Sequence, residues 1–153
     1  QAALRMFPPM TLTASDINAI ILQGLPGTEG SGFEVEAVTA AGVTCRQRYA
    51  PAQLRPGGTL SGPTMMALAD AAMYAAVMSR LGRLEMAVTQ NININFLSRP
   101  EPADLIAEAE VLKLGRRTVV IDVKIFSEGK PEPVAHATGT YSLPPSATPT
   151  GRA

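Results

Sequence analysis

The spacing of apolar residues switches between two periods along the chain, and each switch marks an element. Phe33, Val35 and Ala37 alternate with Glu34 and Glu36, and Val43–Tyr49 continues in that manner with Arg46 and Arg48 on one parity. A period of two puts successive residues on opposite faces, so both runs predict half-buried strands. Four more such runs follow, at Val88–Leu97, Leu105–Leu112, Thr118–Phe126 and Val134–Leu143. In the first, Ile92, Ile94 and Phe96 alternate with Asn91, Asn93 and Asn95; in the second, Leu105, Ala107, Ala109 and Val111 alternate with Glu108 and Glu110. In the third, Val119, Ile121, Val123 and Ile125 lie opposite Asp122 and Lys124. The connections GRR (Gly115–Arg117) and SEGKPEP (Ser127–Pro133) are short, which predicts antiparallel neighbours.

Two segments follow the helical period instead. Thr13–Leu22 carries Ile17, Ile20 and Ile21 behind a capping Thr13 or Ser15, and GLPGTEGSG (Gly24–Gly32) is turn chemistry. The second segment, between Gly57 and Gly82, is almost wholly apolar. Ser61 or Gly62 suits its cap, Pro63 its first turn and Gly82 its stop. Apolar residues around its whole circumference predict a helix buried on every side. Helix, two strands, long helix and four strands define the α+β class, with about six antiparallel strands wrapped around the long helix. Residues 1–32 read as an N-terminal helix and loop, 33–143 as the main domain, and 144–153 as a loose tail.

Composition narrows the function classes. With 153 residues, 46% of them hydrophobic, the chain makes one domain with a real core. Thirteen basic and thirteen acidic residues cancel, which removes any general drive towards nucleic acid or anionic membrane. Cys45 is the sole cysteine, so no intrachain disulfide forms, and a reducing compartment such as the cytoplasm is expected. The single histidine, His136, excludes a His-rich metal site, and no CxxC or HExxH spacing occurs. Residues 1–12 lack the basic-then-apolar order of a secretory signal. The 19-residue span Pro63–Leu81 approaches bilayer length but carries Asp70 and Arg80, so it reads as a buried helix and not a membrane span.

Asp70 is the anomaly of that helix. The stretches LRPGGTLSGPTMMALADAA, VTQNININFLSRP, LGRRTVVIDVKIF and PVAHATGTYSL, within residues 33–143, resemble the hotdog-fold thioesterases of the PaaI type. That family opens its central helix with His-Gly-Gly and places an acidic residue two turns in; here the positions read Ser61-Gly62-Pro63 and Asp70. The resemblance implies hydrolysis of an acyl- or aroyl-coenzyme A, with no cofactor, coenzyme A being part of the substrate. By position, Gly62 would offer its N–H to the thioester carbonyl, Asp70 would be general base or nucleophile, and Thr89 would help position water. Arg99, Arg116 and Arg117 fall where the family meets phosphate and nucleotide. Ser61 replaces the usual His, Arg55 an Asn six residues earlier, and Pro63 a second Gly, which removes one backbone donor.

Spacing adds a constraint. Eight helical residues separate Gly62 from Asp70, about 12 Å of rise at ~1.5 Å per residue. Oxyanion donor and base must both lie within about 3 Å of the reacting centre or its water. Two chains related by a two-fold axis satisfy this, one supplying the helix start and the other the carboxylate, which predicts a homo-oligomer, either a dimer or a dimer of dimers. The Asn91, Asn93, Asn95 strand is the expected seam, pairing edge to edge with its twin.

Plainer roles compete at each position. Asp70 could pair structurally with a loop or an arginine, Ser61 and Gly62 could merely cap, Thr89 is a good strand former, and turn arginines are commonly solvated. His136 reads as a satisfied or exposed histidine, Cys45 as a small core hydrophobe, and Met65, Met66, Met73 and Met78 as packing that also suits an acyl pocket. A hotdog protein that binds an acyl ligand without turnover is the alternative function. A hotdog dehydratase would pair a His with the Asp, and His136 lies too far along the chain for that.

Overall fold

A computed structural model describes residues 12–84 and 86–145. Helix α1 (Ala14–Gly24) and a 3-10 turn (Pro26–Thr28) precede strands β1 (Phe33–Val38) and β2 (Gly42–Gln47). A second 3-10 turn (Pro51–Gln53) leads into helix α2 (Gly62–Leu81), and strands β3 (Val88–Phe96), β4 (Leu105–Leu114), β5 (Thr118–Ser127) and β6 (Pro133–Ser142) follow. The six strands form one antiparallel sheet in the order β1-β2-β4-β5-β6-β3. With α2 packed chiefly across β2, β4 and β5, this is the α+β hotdog fold.

Local chemistry starts and stops the helices. Thr13 and Asp16 form a reciprocal capping box: the Thr13 hydroxyl accepts the Asp16 N–H at 3.1 Å, and the Asp16 carboxylate accepts the Thr13 N–H at 2.8 Å. Ile17, Ile20 and Ile21 then bury one stripe of α1. Asn18, on the same helix, uses its amide as a strand would: it donates to Val35 O (2.9 Å) and accepts the Val35 N–H (2.8 Å). That pairing covers part of the open edge of β1. A bulge between Val35 and Ala37 follows, and Ala37 turns outward instead of sharing the buried face of Val35. At α2, the extended Ser61 caps the first turn through its hydroxyl, and Gly82 (φ 80°) ends the last.

The expectation of a helix covered on all sides is corrected. Ala69, Ala72, Ala75 and Ala76 are fully buried and let α2 lie close to the sheet. The approach is tightest at Gly139 of β6, where a Cβ would fall 2.5 Å from Met73 Sδ and 3.0 Å from Asn91 O. Pro63, Met66 and Ala67 are exposed, however, and Asp70, Ala71 and Tyr74 only half-buried. These residues recur three and four apart, so they form one open stripe along α2. A six-stranded sheet curls around only part of a helix, and the end of α1 and the start of β1 face part of the remainder across a cavity. The open stripe adjoins β3, which is an edge strand exposed over most of its length. Val88, Phe96 and Leu97 are each about half exposed or more, as are Met66 and Met86.

Candidate active site

Asp70 sits at the third turn of α2, facing strands β3 and β6. Its Oδ1 accepts two hydroxyl hydrogen bonds, from Thr89 Oγ1 at 2.7 Å and from the Tyr141 phenol at 2.6 Å. Tyr141 also donates to the Asp70 backbone carbonyl at 3.0 Å, which fixes the helix against β6 at this point. Both donors reach the carboxylate from neighbouring strands, since β3 pairs with β6 in the register Thr89↔Tyr141. Oδ1 is thus committed to the protein, while no partner meets Oδ2 among the described residues. Burial, followed by the hydrogen bond to Asp70, pushes the Tyr141 phenol far above its ordinary pKa. It therefore keeps its proton and acts only as a donor.

Tyr141 escaped the sequence reading. A signal existed: it shares the core-facing parity of Ala135, Ala137 and Gly139 on β6, and a phenol in that position needs a polar partner. Which partner it meets is not visible along the chain. The ring itself stacks on Tyr74, with centroids 6.2 Å apart and planes 20° from parallel.

The carboxylate lines a cavity of about 540 Å³. One wall is the open stripe of α2 at Ala67, Asp70, Ala71 and Tyr74, and another is the start of β3. The remainder comes from α1, the turn after it and the first two strands.

Gly62 stands at the other end of α2 and faces different neighbours. A Cβ placed on it would lie 3.3 Å from Phe96 Cζ, so the helix start is held against the far end of β3. Among the first-turn donors, Pro63 has none and the Thr64 N–H goes to Ser61 Oγ at 3.3 Å. The Met65 N–H goes to Ser61 O, also at 3.3 Å. Gly62 alone keeps a backbone N–H that meets no acceptor among the described residues, at the positive end of the helix dipole. Ser61 spends its hydroxyl on the cap and on Thr64 Oγ1, 2.8 Å away.

The arginines divide between the two ends. Arg116 and Arg117 are exposed on the β4–β5 turn, where Thr118 and Val88 both pair with Ser142, so that turn lies at the Asp70 end. Arg55 and Arg99 are exposed at the Gly62 end: the Arg55 N–H bonds Thr59 O, and Leu60 N–H bonds Pro100 O beside Arg99. Arg99 also lines a separate cavity of about 200 Å³ with Lys130. One chain therefore brings Asp70 and Thr89 together, with Tyr141 added, and holds Gly62, Ser61, Pro63, Arg55 and Arg99 apart from them. His136 lies off this site, its Nε2 2.6 Å from Asp122 Oδ1. Cys45 is fully buried, and burial pushes its thiol up to about 12. Among the described residues, no group of three or more His, Cys, Asp or Glu is placed to hold a metal ion, and no helix is long and apolar enough to cross a membrane.

A single antiparallel sheet curled on a central helix, with a hydroxyl-held carboxylate on the helix's open stripe, defines a hotdog protein of the thioesterase kind. The model of the thioesterase superfamily matches residues 57–134, and the chain belongs to that superfamily. Among solved structures it is similar to a protein of Silicibacter sp. proposed to be a thioesterase: 40% identity, TM-score 0.79, 91% of this chain and 98% of that one. It is also similar to a variant of the phenylacetic acid degradation protein PaaI of Thermus thermophilus: 29% identity, TM-score 0.67, 78% of this chain and 99% of that one. Zebra fish thioesterase superfamily member 2 shares the fold at 24% identity and TM-score 0.75, over 87% of this chain and 99% of that one. A comparison with curated protein sequences returned no match.

Proposed function

We propose that this thioesterase hydrolyses acyl- or aroyl-coenzyme A esters, in sites shared between two subunits of a homo-oligomer. The observation that carries the reading is the separation of two complementary groups on one rigid helix. A free N–H at its start suits an oxyanion; a carboxylate two turns on, with Oδ2 open to a cavity, suits the activation of water. Antiparallel pairing of β3 with its two-fold copy, centred near the middle of the strand, would set the Phe96 end of one subunit beside the Thr89 end of the other. Gly62 of each chain would then approach Asp70 of its mate. The same pairing would satisfy the open edge of β3 and cover Met66, Val88, Phe96 and Leu97.

Within that site the Gly62 N–H polarises the thioester carbonyl. Asp70 Oδ2 takes a proton from a water molecule, whose oxygen attacks the carbonyl carbon. The tetrahedral oxyanion collapses, the carbon–sulfur bond breaks, and the thiolate of coenzyme A leaves and is protonated. Thr89 and Tyr141 hold the carboxylate by Oδ1 so that the other oxygen meets the water. Arg116 and Arg117 on one side, with Arg55 and Arg99 of the mate on the other, supply guanidinium groups for the phosphates of the coenzyme. Ser61 and Pro63 border the carbonyl-binding helix start.

Release of free thiol from a panel of acyl-coenzyme A esters tests this, with Asp70→Asn beside the parent. Loss of a general base predicts a fall of at least about a hundredfold in the variant. An Asp70→Asn protein that keeps full activity refutes the role given to the carboxylate. A parent that binds the esters without releasing thiol would favour the alternative, a ligand-holding hotdog protein, for which the spent Ser61 hydroxyl and donorless Pro63 speak.

A further inference from the structure

Half of the wall around the Asp70 cavity comes from residues outside the 57–134 span that the superfamily model matches. Ile21 and Leu25 project from the end of α1, and Phe33 from the start of β1, towards Ala71 and Tyr74 on the open stripe of α2. We propose that this N-terminal segment forms the outer wall of the acyl pocket, and that Leu25 sets how long an apolar acyl group the site accepts. The inference rests on the thioesterase reading above.

Three observations converge on it. The cavity is continuous from Asp70, where the thioester carbon must sit, to Leu25, so a group attached to that carbon has one place to extend. Its lining beyond the Asp70–Thr89–Tyr141 cluster is mainly aliphatic and aromatic, with no cation or second carboxylate, which suits an uncharged acyl chain or ring. At roughly 30 Å³ per water-sized group, about 540 Å³ has room for about eighteen such groups, far more than an acetyl group fills and enough for a medium-length chain or an aryl ring.

The segment is also well fixed. Asn18 ties α1 to Val35 by two hydrogen bonds, Ile17 and Ile21 are buried, and the Leu25 N–H caps α1 on Ile21 O at 2.8 Å. The Leu25 side chain is nevertheless 51% exposed. A larger residue there would narrow the cavity without disturbing packed core.

The test compares the parent with Leu25→Trp, and with Leu22→Trp as a control, on straight-chain acyl-coenzyme A esters from acetyl to dodecanoyl. Leu22 is similarly exposed on α1 but does not line this cavity. Excluding about two methylene groups from an apolar wall corresponds to roughly tenfold. The ratio of kcat/KM for octanoyl to that for acetyl is therefore expected to fall about tenfold in Leu25→Trp and to stay at the parental value in Leu22→Trp. An unchanged ratio in Leu25→Trp, or an equal fall in Leu22→Trp, overturns the inference and leaves the thioesterase reading standing. If the parent releases no thiol, that reading fails, and the inference is judged on calorimetric binding of the same intact esters. Affinity that rises with chain length in the parent and not in Leu25→Trp supports it; the same dependence in both overturns it.

Discussion

Replacing Gly62 by proline tests both the oxyanion donor and the shared site. Ser61 has φ −77° and ψ 154°, the extended conformation favoured before a proline, and the first helical position tolerates proline because its N–H has no intrahelical partner. Gly62→Pro therefore deletes the one unclaimed N–H of the first turn while leaving α2 able to form. Its new Cβ meets Phe96 Cζ at 3.3 Å, and the half-exposed ring can swing aside by the few tenths of an ångström required. Gly62→Ala introduces the same Cβ and keeps the N–H, so it isolates the steric part. Removal of one oxyanion donor costs about a hundred- to a thousandfold in kcat, and that loss is expected for proline and not for alanine. Sharing adds a stricter expectation. Asp70→Asn and Gly62→Pro chains, co-expressed with different affinity tags and purified through both, pair one intact acid with one intact helix start. One of the two sites in each such dimer is then whole and the other lacks both groups, which predicts about half of the parental kcat per dimer from two nearly inactive chains. A mixed dimer as inactive as its parents, or Gly62→Pro turning over as fast as Gly62→Ala, would refute the shared site.

Two further outcomes follow from the geometry. Tyr141→Phe keeps the ring against Tyr74 and removes one of the two donors to Oδ1. Without that anchor the carboxylate can turn away from the water, and a misplacement of ~1 Å costs on the order of a hundredfold, so kcat should drop about ten- to a hundredfold with KM little changed; an unaltered kcat would remove Tyr141 from the site. For Cys45, the folded thiol at about 12 lies above the ordinary ~8.5, so the unfolded chain loses this proton first and stability falls as pH rises from that ordinary value towards 12. Denaturation midpoints should decline more steeply over that range in the parent than in Cys45→Ala, and thiol labelling at pH 8 should follow unfolding; rapid labelling of the folded protein would contradict the buried, protonated thiol.

Much of the fold was legible along the chain because its signals are local. Thr13, Ser61 and Gly82 act at the helix ends where their residue types suggested. The six alternating runs are the six strands, with boundaries shifted by a residue or two, and the strict alternation breaks at bulges such as Val35/Ala37 and Val111/Lys113. Asp70 stood out because a carboxylate among alanines and methionines needs partners, and Thr89 proved to be one of them. Residues 144–153, read as a loose tail, lie almost entirely outside the described residues, which end at 145.

Periodicity and end chemistry determined by themselves which segments are helix or strand, which face of each strand is apolar, and that Gly62 and Asp70 are too far apart on one rod to meet. They act through neighbours two to four residues away and carry no information on which distant strands lie side by side. The tertiary structure alone decided that β3 pairs with β6 and ends the sheet, that a one-sided sheet leaves a stripe of α2 open, and that Tyr141 reaches a carboxylate 71 residues earlier in the chain. Those adjacencies follow from register across the whole sheet, which is set by burying the apolar faces of its strands together against a single helix.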